Sequence, residues 1–93
     1  MARTPEWLEL RASEDIVPLR RAVRRWAVEL GFGLVDQTKI VTAASELGRN
    51  AVLHGGGGRA LLEALQEGGL RGLRLTVTDQ GPGIADVELA MRD

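Results

Sequence analysis

The sequence predicts an α/β two-layer sandwich from three observations. Ile16, Leu19, Val23, Trp26 and Leu30 recur at intervals of three and four, Ile40, Ala44, Leu47 and Ala51 repeat that pattern, and Leu73-Arg74-Leu75-Thr76-Val77-Thr78 alternates apolar with polar side chains. The first two periods belong to helices with one apolar stripe, the third to a half-buried strand.

Taken in chain order, Trp7-Leu8-Glu9-Leu10-Arg11 alternates weakly and predicts a short strand before the capping-rich Ser13-Glu14-Asp15. The first helix follows from Ile16 to Leu30; Pro18 is tolerated in a first turn, and Gly31 supplies a left-handed C-terminal cap. Its outer face carries Arg20, Arg21, Arg24 and Arg25, which read either as a solvated helix surface or as a docking face for an acidic partner. Asp36 is the expected N-cap of the second helix, and the run Gly55-Gly56-Gly57-Gly58 ends it, since four glycines lose too much backbone freedom to stay helical. Residues 60–66 are good helix formers but too few for a stable helix. The strand at 73–78 needs a neighbour, so 60–66 is read as a strand joined to it by a hairpin through Glu67–Gly72.

Composition bounds the function. Ninety-three residues make a single domain, 1–93, and one this small buries only about 60–65% of its unfolded surface. A hydrophobic share of 44%, a charged share of 27% and a formal net charge of −1 describe an ordinary globular protein and do not advertise nucleic acid. Aromatic residues at 3% argue against base-stacking platforms. The absence of cysteine excludes disulfides, thiolate metal sites and a cysteine nucleophile. No apolar run approaches a membrane span and the charged opening has no signal core, so the expected location is the cytoplasm, away from membranes.

Two segments can carry chemistry. In Ser45-Glu46-Leu47-Gly48-Arg49-Asn50-Ala51-Val52-Leu53-His54-Gly55, residues 46, 50 and 54 are four apart. On a helix each lies about 6 Å above the last, on one face. That face is expected to adjoin the core side of Leu47 and Ala51, where an unsatisfied carboxylate or amide is expensive. Spacing alone is weak evidence, because E-x-x-x-N arises often by chance. The second segment is Asp79-Gln80-Gly81-Pro82-Gly83-Ile84 at a strand end. An ionised aspartate only accepts hydrogen bonds, so it suits a ligand presenting a donor such as an exocyclic amine, and glycines beside it admit a flat ligand. The plain alternative is a tight turn with a capping aspartate. A P-loop is excluded because Arg59-Ala60 supplies neither lysine nor hydroxyl, and a dinucleotide fingerprint fails where Asp86 replaces its third glycine.

Together, E-x-x-x-N-A-x-x-H-G, a hairpin and D-x-G-x-G-I resemble the GHKL ATPase/kinase superfamily, with residues 46–55 as its N box and 79–84 as its first glycine box. The stretches Leu30–Gln37 and Thr42–Leu47 and the DQGPGI turn further resemble the RsbT-type switch kinases, serine/threonine kinases of the anti-sigma-factor regulator group. That resemblance implies the N-terminal portion of a Bergerat-type (histidine-kinase-like ATPase) fold and an ATP-dependent serine protein kinase of a partner-switching stress or sigma-factor module. It implies Glu46 as general base and Asn50 as a Mg²⁺ ligand beside the nucleotide. Asp79 is then the acceptor for the adenine amine, with Gly81, Gly83 and Ile84 lining the purine. His54 fits the N box, with a plain helix-terminal histidine as the other account. The implied partners are a STAS-type antagonist, which is phosphorylated, and a downstream phosphatase activator.

The chain ends at Asp93, before the second glycine-rich box, the ATP lid and the final strands of that family, so a fragment is expected. Residues 86–93 then read as the start of a helix, and apolar sheet surface should be left for self-association or a following segment to cover. Whether the 93 residues bind ATP or transfer phosphate stays open at this point. So do a non-catalytic module that sequesters a partner and another GHKL ATPase.

Overall fold

In the structure, a computed structural model, residues 3–81 and 83–92 are described. Strand β1 (Glu6–Leu10) leads through a single 3-10 turn (Ser13–Asp15) into α1 (Ile16–Glu29) and α2 (Leu34–His54), followed by β2 (Gly58–Glu67), β3 (Leu70–Asp79) and β4 (Ile84–Arg92). The strands form one antiparallel sheet in the order β1-β2-β3-β4. Both helices pack on the same face of it, giving the expected two layers, and with them an α+β fold.

The core lies between the layers. Leu19, Val23 and Trp26 of α1 and Ile40, Ala44 and Ala51 of α2 meet Leu10, Ala60, Leu62, Leu73, Leu75 and Val77 of the sheet, all nearly inaccessible. Removing each large aliphatic side chain from water is worth about 1.5–3 kcal/mol, so the helix stripes and the strand alternation are one fact seen from two sides. Ile16, Leu30 and Leu47 are half-buried at its border. On the opposite, wet face of the sheet Arg74 reaches Glu63 at 4.0 Å and Glu88 at 3.3 Å, a cross-strand charge ladder. Trp26 is also tied down by its polar end: its indole N–H donates to Glu6 Oε1 at 2.7 Å, and Arg25 Nη2 donates to the same oxygen at 2.6 Å. These bonds, the indole first and the guanidinium second, hold the Glu6 carboxyl below its ordinary pKa.

Several expected boundaries move. Helix α2 starts at Leu34, two residues before Asp36, because extended Gly33 occupies the N-cap position and its carbonyl accepts from Gln37 N–H at 2.9 Å. Asp36 therefore sits in the first turn, where its charge still suits the positive end of the helix dipole. Leu34 and Val35, both 70% exposed, gave no apolar stripe from which that turn could be read. Asp15 does not cap α1 forward; its Oδ2 turns back to accept from Arg11 N–H at 2.7 Å and Ala12 N–H at 3.1 Å. The hairpin is tighter than expected, since β2 and β3 run on to Glu67 and Leu70 and leave only Gly68-Gly69, both at positive φ, as a two-residue turn.

The expected helix at 86–93 is absent from the described part of that segment, which is β4; Asp93 lies outside the described residues. Val87, Leu89 and Met91 alternate with Asp86, Glu88 and Ala90. That period of two sets Val87 opposite Leu75 and Leu89 opposite Leu73, packed against the core. Helix-forming residue types yield here to burial on the edge of β3. With β4 in place, the large exposed apolar side chains described on the sheet are Trp7, Leu70 and Ile84, scattered over three strands rather than gathered in the bare patch expected.

Candidate functional site

The site residues come from two places that the fold joins, the second half of α2 and the turn after β3. Helix α2 ends at Gly55, whose N–H donates to the Ala51 and Asn50 carbonyls at 3.1 and 3.2 Å. From there Gln80 N–H donates to both Gly55 O and Gly57 O at 3.0 Å, which pins the β3–β4 turn to the end of the helix. Asp79, the last residue of β3, closes the turn on itself. Its N–H donates to Gly83 O and its Oδ1 accepts from Gly83 N–H, both at 3.1 Å.

The carboxylate of Asp79 is thereby gripped between two glycines. A methyl group added at Gly55 would come within 2.5 Å of Asp79 Cβ, Cγ and Oδ2, and one added at Gly83 within 2.5 Å of Oδ2. Only hydrogen fits at either place without displacing the side chain. Asp79 is half-buried, and its Oδ2 has no hydrogen-bond donor among the described residues. No buried side-chain oxygen among those residues lacks a partner, so Oδ2 keeps access to solvent. It is an acceptor held in a fixed place with its lone pairs unused. Beside it a hollow of about 300 Å³ is lined by Glu9, Gly58, Arg59, Thr78, Asp79 and Gln80.

Gly81 is exposed and Gly83 half-buried, both next to the Asp79 carboxylate, while Ile84 is 72% exposed at the head of β4; Pro82 lies outside the described residues. Glu46 and Asn50 are exposed, contrary to the expected border position, and neither has a side-chain partner among the described residues. Gly48 explains why. A methyl there would meet Leu19 Cδ2 at 2.8 Å and Ile16 Cδ1 at 2.9 Å, so Gly48 marks the flank of α2 pressed on α1. Glu46 and Asn50 each lie two residues from it, about 160° round the axis, and so share the opposite, open flank. Measured back from Gly55 along the axis, Asn50 is about 7.5 Å away and Glu46 about 13.5 Å. Neither lines the hollow beside Asp79. His54 is the last helical residue and is exposed. The roles of Gly55 and Gly57 in pinning the turn were missed in the sequence, where Gly55 closes the N-box pattern and both read as part of the glycine run that ends the helix.

The family described as histidine kinase-like ATPase domain matches residues 10–93. The chain belongs to that family. It is also similar to the serine/threonine-protein kinase RsbT of Bacillus subtilis (strain 168), 48% identical over 79 residues that cover 85% of this chain and 59% of the relative. The chain thus spans about three-fifths of that relative's length. The match spans both the α2 segment and the turn after β3, the two places read from sequence as N box and first glycine box. Among the described residues no cluster of three or more His, Cys, Asp or Glu side chains could hold a metal, and no helix is long and apolar enough to cross a membrane.

Proposed function

We propose that this chain carries the nucleotide-binding and proton-accepting residues of a serine/threonine protein kinase that uses ATP and Mg²⁺. The observation that carries this reading is Asp79. One carboxylate oxygen is held by Gly83 N–H and the other stands open to solvent, at the foot of the helix that bears Asn50 and Glu46. The free Oδ2 accepts the exocyclic amine of adenine; guanine has a carbonyl oxygen at that place and is refused. Gly81, Gly83 and Ile84 lie against the purine, and the exposed Ile84 has apolar surface to give it.

The open flank of α2 faces away from α1, and its residues lie N-terminal to the helix end that packs on Asp79. Asn50 comes first and offers an amide oxygen without a partner among the described residues, a hard donor of the kind Mg²⁺ takes. One such ligand suits an ion that arrives with a nucleotide and keeps its waters. When bound, the ion neutralises charge on the transferred phosphoryl group. Glu46 lies one turn further along and accepts the proton of the attacking serine hydroxyl. The remaining work is positioning, which the pinned turn and the rigid helix provide.

The similarity to a serine/threonine-protein kinase supports transfer to a protein hydroxyl; we further propose, from the sequence resemblance, a partner-switching role in the cytoplasm, with a STAS-type antagonist as the phosphorylated protein and a phosphatase activator downstream, in control of a stress response. The test uses the full-length protein with labelled ATP, Mg²⁺ and a candidate antagonist, beside Glu46→Ala. Transfer by the unaltered protein, and binding without transfer by the variant, supports the kinase. Retained partner binding with no transfer by either protein contradicts it and leaves a sequestering module.

A further inference from the structure

We infer that the groove between the outer face of α1 and the adjoining edge of α2 is a docking site for an acidic amphipathic helix of a partner protein. Val17, Arg20, Arg21 and Arg24 follow the spacing i, i+3, i+4, i+7 and form one ridge on α1. With Arg25 and Val41 they wall a groove of about 500 Å³. From Val17 to Arg25 this face runs about 12 Å, or just over two helical turns.

The groove has the two parts that such recognition needs. Its apolar part is Val17, 49% exposed at the outer face, together with Val41 at the floor. Its charged part is four guanidinium groups, and the structure shows how few of them are neutralised. Arg25 is ion-paired with Glu6 at 2.6 Å, and Arg24 Nη1 donates to the uncharged Gln37 Oε1 at 3.2 Å. Arg20 and Arg21 have no partner among the described residues. Three of the four therefore keep an unneutralised positive charge around an apolar slot, on a chain whose net charge is −1. The rest of α1 does not explain this clustering, because its core contacts are made by Leu19, Ala22, Val23, Trp26 and Ala27 on the other side.

The complementary ligand is a helix with a short aliphatic stripe for the Val17–Val41 slot and carboxylates along its edges for Arg20, Arg21 and Arg24. Guanidinium groups grip carboxylates in bidentate fashion, and the amphipathic helix supplies apolar anchors at matching spacing. None of this depends on the nucleotide reading, since the groove and the Asp79 turn share no residue.

The experiment measures binding of labelled synthetic amphipathic helices to the full-length protein by fluorescence anisotropy, at low and physiological salt. One peptide flanks a leucine stripe with glutamates, a second flanks the same stripe with lysines, and a third keeps the glutamates but has serines in the stripe. The expected result is salt-sensitive binding of the first alone, weakened about tenfold or more in the Arg20→Glu/Arg21→Glu variant. That variant should keep its circular dichroism and its ATP affinity, because both arginines are exposed and neither belongs to the nucleotide site. Val17→Ser, a milder change at the same groove, should weaken the same peptide to a smaller degree. Equal binding of the lysine peptide, unchanged affinity in the charge-reversed variant, or no binding of the first peptide overturns the proposal. So does binding of phosphatidylserine vesicles that the variant loses while the glutamate peptide never binds, which would make the face a membrane contact.

Discussion

On the flank of α2 that meets α1, Gly48 is buried against Leu19 and Ile16, and Ile40 and Ala44 are almost wholly enclosed. On the opposite flank Glu46 and Asn50 stand in solvent with no side-chain partner among the described residues. The two flanks share one backbone, so helix propensity cannot account for the difference. The packed flank is determined by volume: each position is filled by a side chain of the right size, or by hydrogen at Gly48. The open flank has no such constraint: a carboxylate and an amide stand one turn apart there with no packing role among the described residues, and only the proposed reading gives them a task. The same contrast holds at the turn after β3, where Asp79 Oδ1 is used by the fold and Oδ2 is not.

Stability measurements should break the two flanks apart most visibly. Trp26→Ala removes the largest fully buried side chain together with its bond to Glu6, and should cost about 3–5 kcal/mol. Ile40→Ala, on the packed flank of α2, should cost about 2–5 kcal/mol. Either loss is a large part of the stability of a domain this small. Glu46→Ala and Asn50→Ala should stay within about 0.5 kcal/mol of the unaltered protein in urea unfolding. A large loss at Glu46 would mean that the open flank has a structural task after all.

Nucleotide affinity sharpens the comparison at the turn. Asp79→Asn exchanges an acceptor oxygen for a donor and should weaken ATP binding roughly ten- to a hundredfold, the worth of a hydrogen bond to a charged group. The preference for ATP over GTP should fall with it; calorimetry giving equal affinities would contradict the assignment. Gly55→Ala should also weaken ATP binding, although residue 55 needs no contact with the ligand, because its methyl group displaces the Asp79 carboxylate. Unchanged affinity there would show that the grip of the two glycines does not matter.

How far the sequence could be read follows the same division. Both helices, the strands that carry the core and the pairing of 60–66 with 73–78 were legible because burial imposes a period, and the period is visible in Leu19, Val23 and Trp26 or in Leu73, Leu75 and Val77. The start of α2 was not, because Leu34 and Val35 are exposed and an extended Gly33 leaves little trace in composition. Strand β4 was misread as a helix because Ala85, Glu88, Leu89, Ala90 and Met91 favour a helix locally, while what overrides them is pairing with the edge of β3 (70–79), which local propensity does not register. At the site, the spacing of Glu46, Asn50 and His54 and the D-x-G-x-G turn were visible in the residues. Their direction was not: Glu46 and Asn50 were expected at the core border, and only the contact of Gly48 with α1 shows that they face away from it.

The smallest predicted effect concerns acid. Glu6 titrates below its ordinary value near 4.5 because Trp26 N–H and Arg25 bond its charged form. A lowered folded-state pKa stabilises the fold above the unfolded value, and that contribution is lost as pH falls through the folded one. Stability should therefore decline as pH drops below about 4.5, and Glu6→Gln should flatten that part of the profile. An equally steep decline in the variant would assign the acid sensitivity to other groups, such as Asp15, whose carboxyl is lowered by the Arg11 and Ala12 N–H bonds.

The central claim is that Asp79 and the open flank of α2 serve one ligand. Amide and side-chain NMR shifts during titration of the isotopically labelled full-length protein with ATP, first without and then with Mg²⁺, test it most directly. The account predicts that the Gly81 and Gly83 amides move on adding ATP, and that the Asn50 side-chain amide joins them with the same midpoint once Mg²⁺ is present. Movement at the glycines with Asn50 and Glu46 silent under both conditions would contradict it.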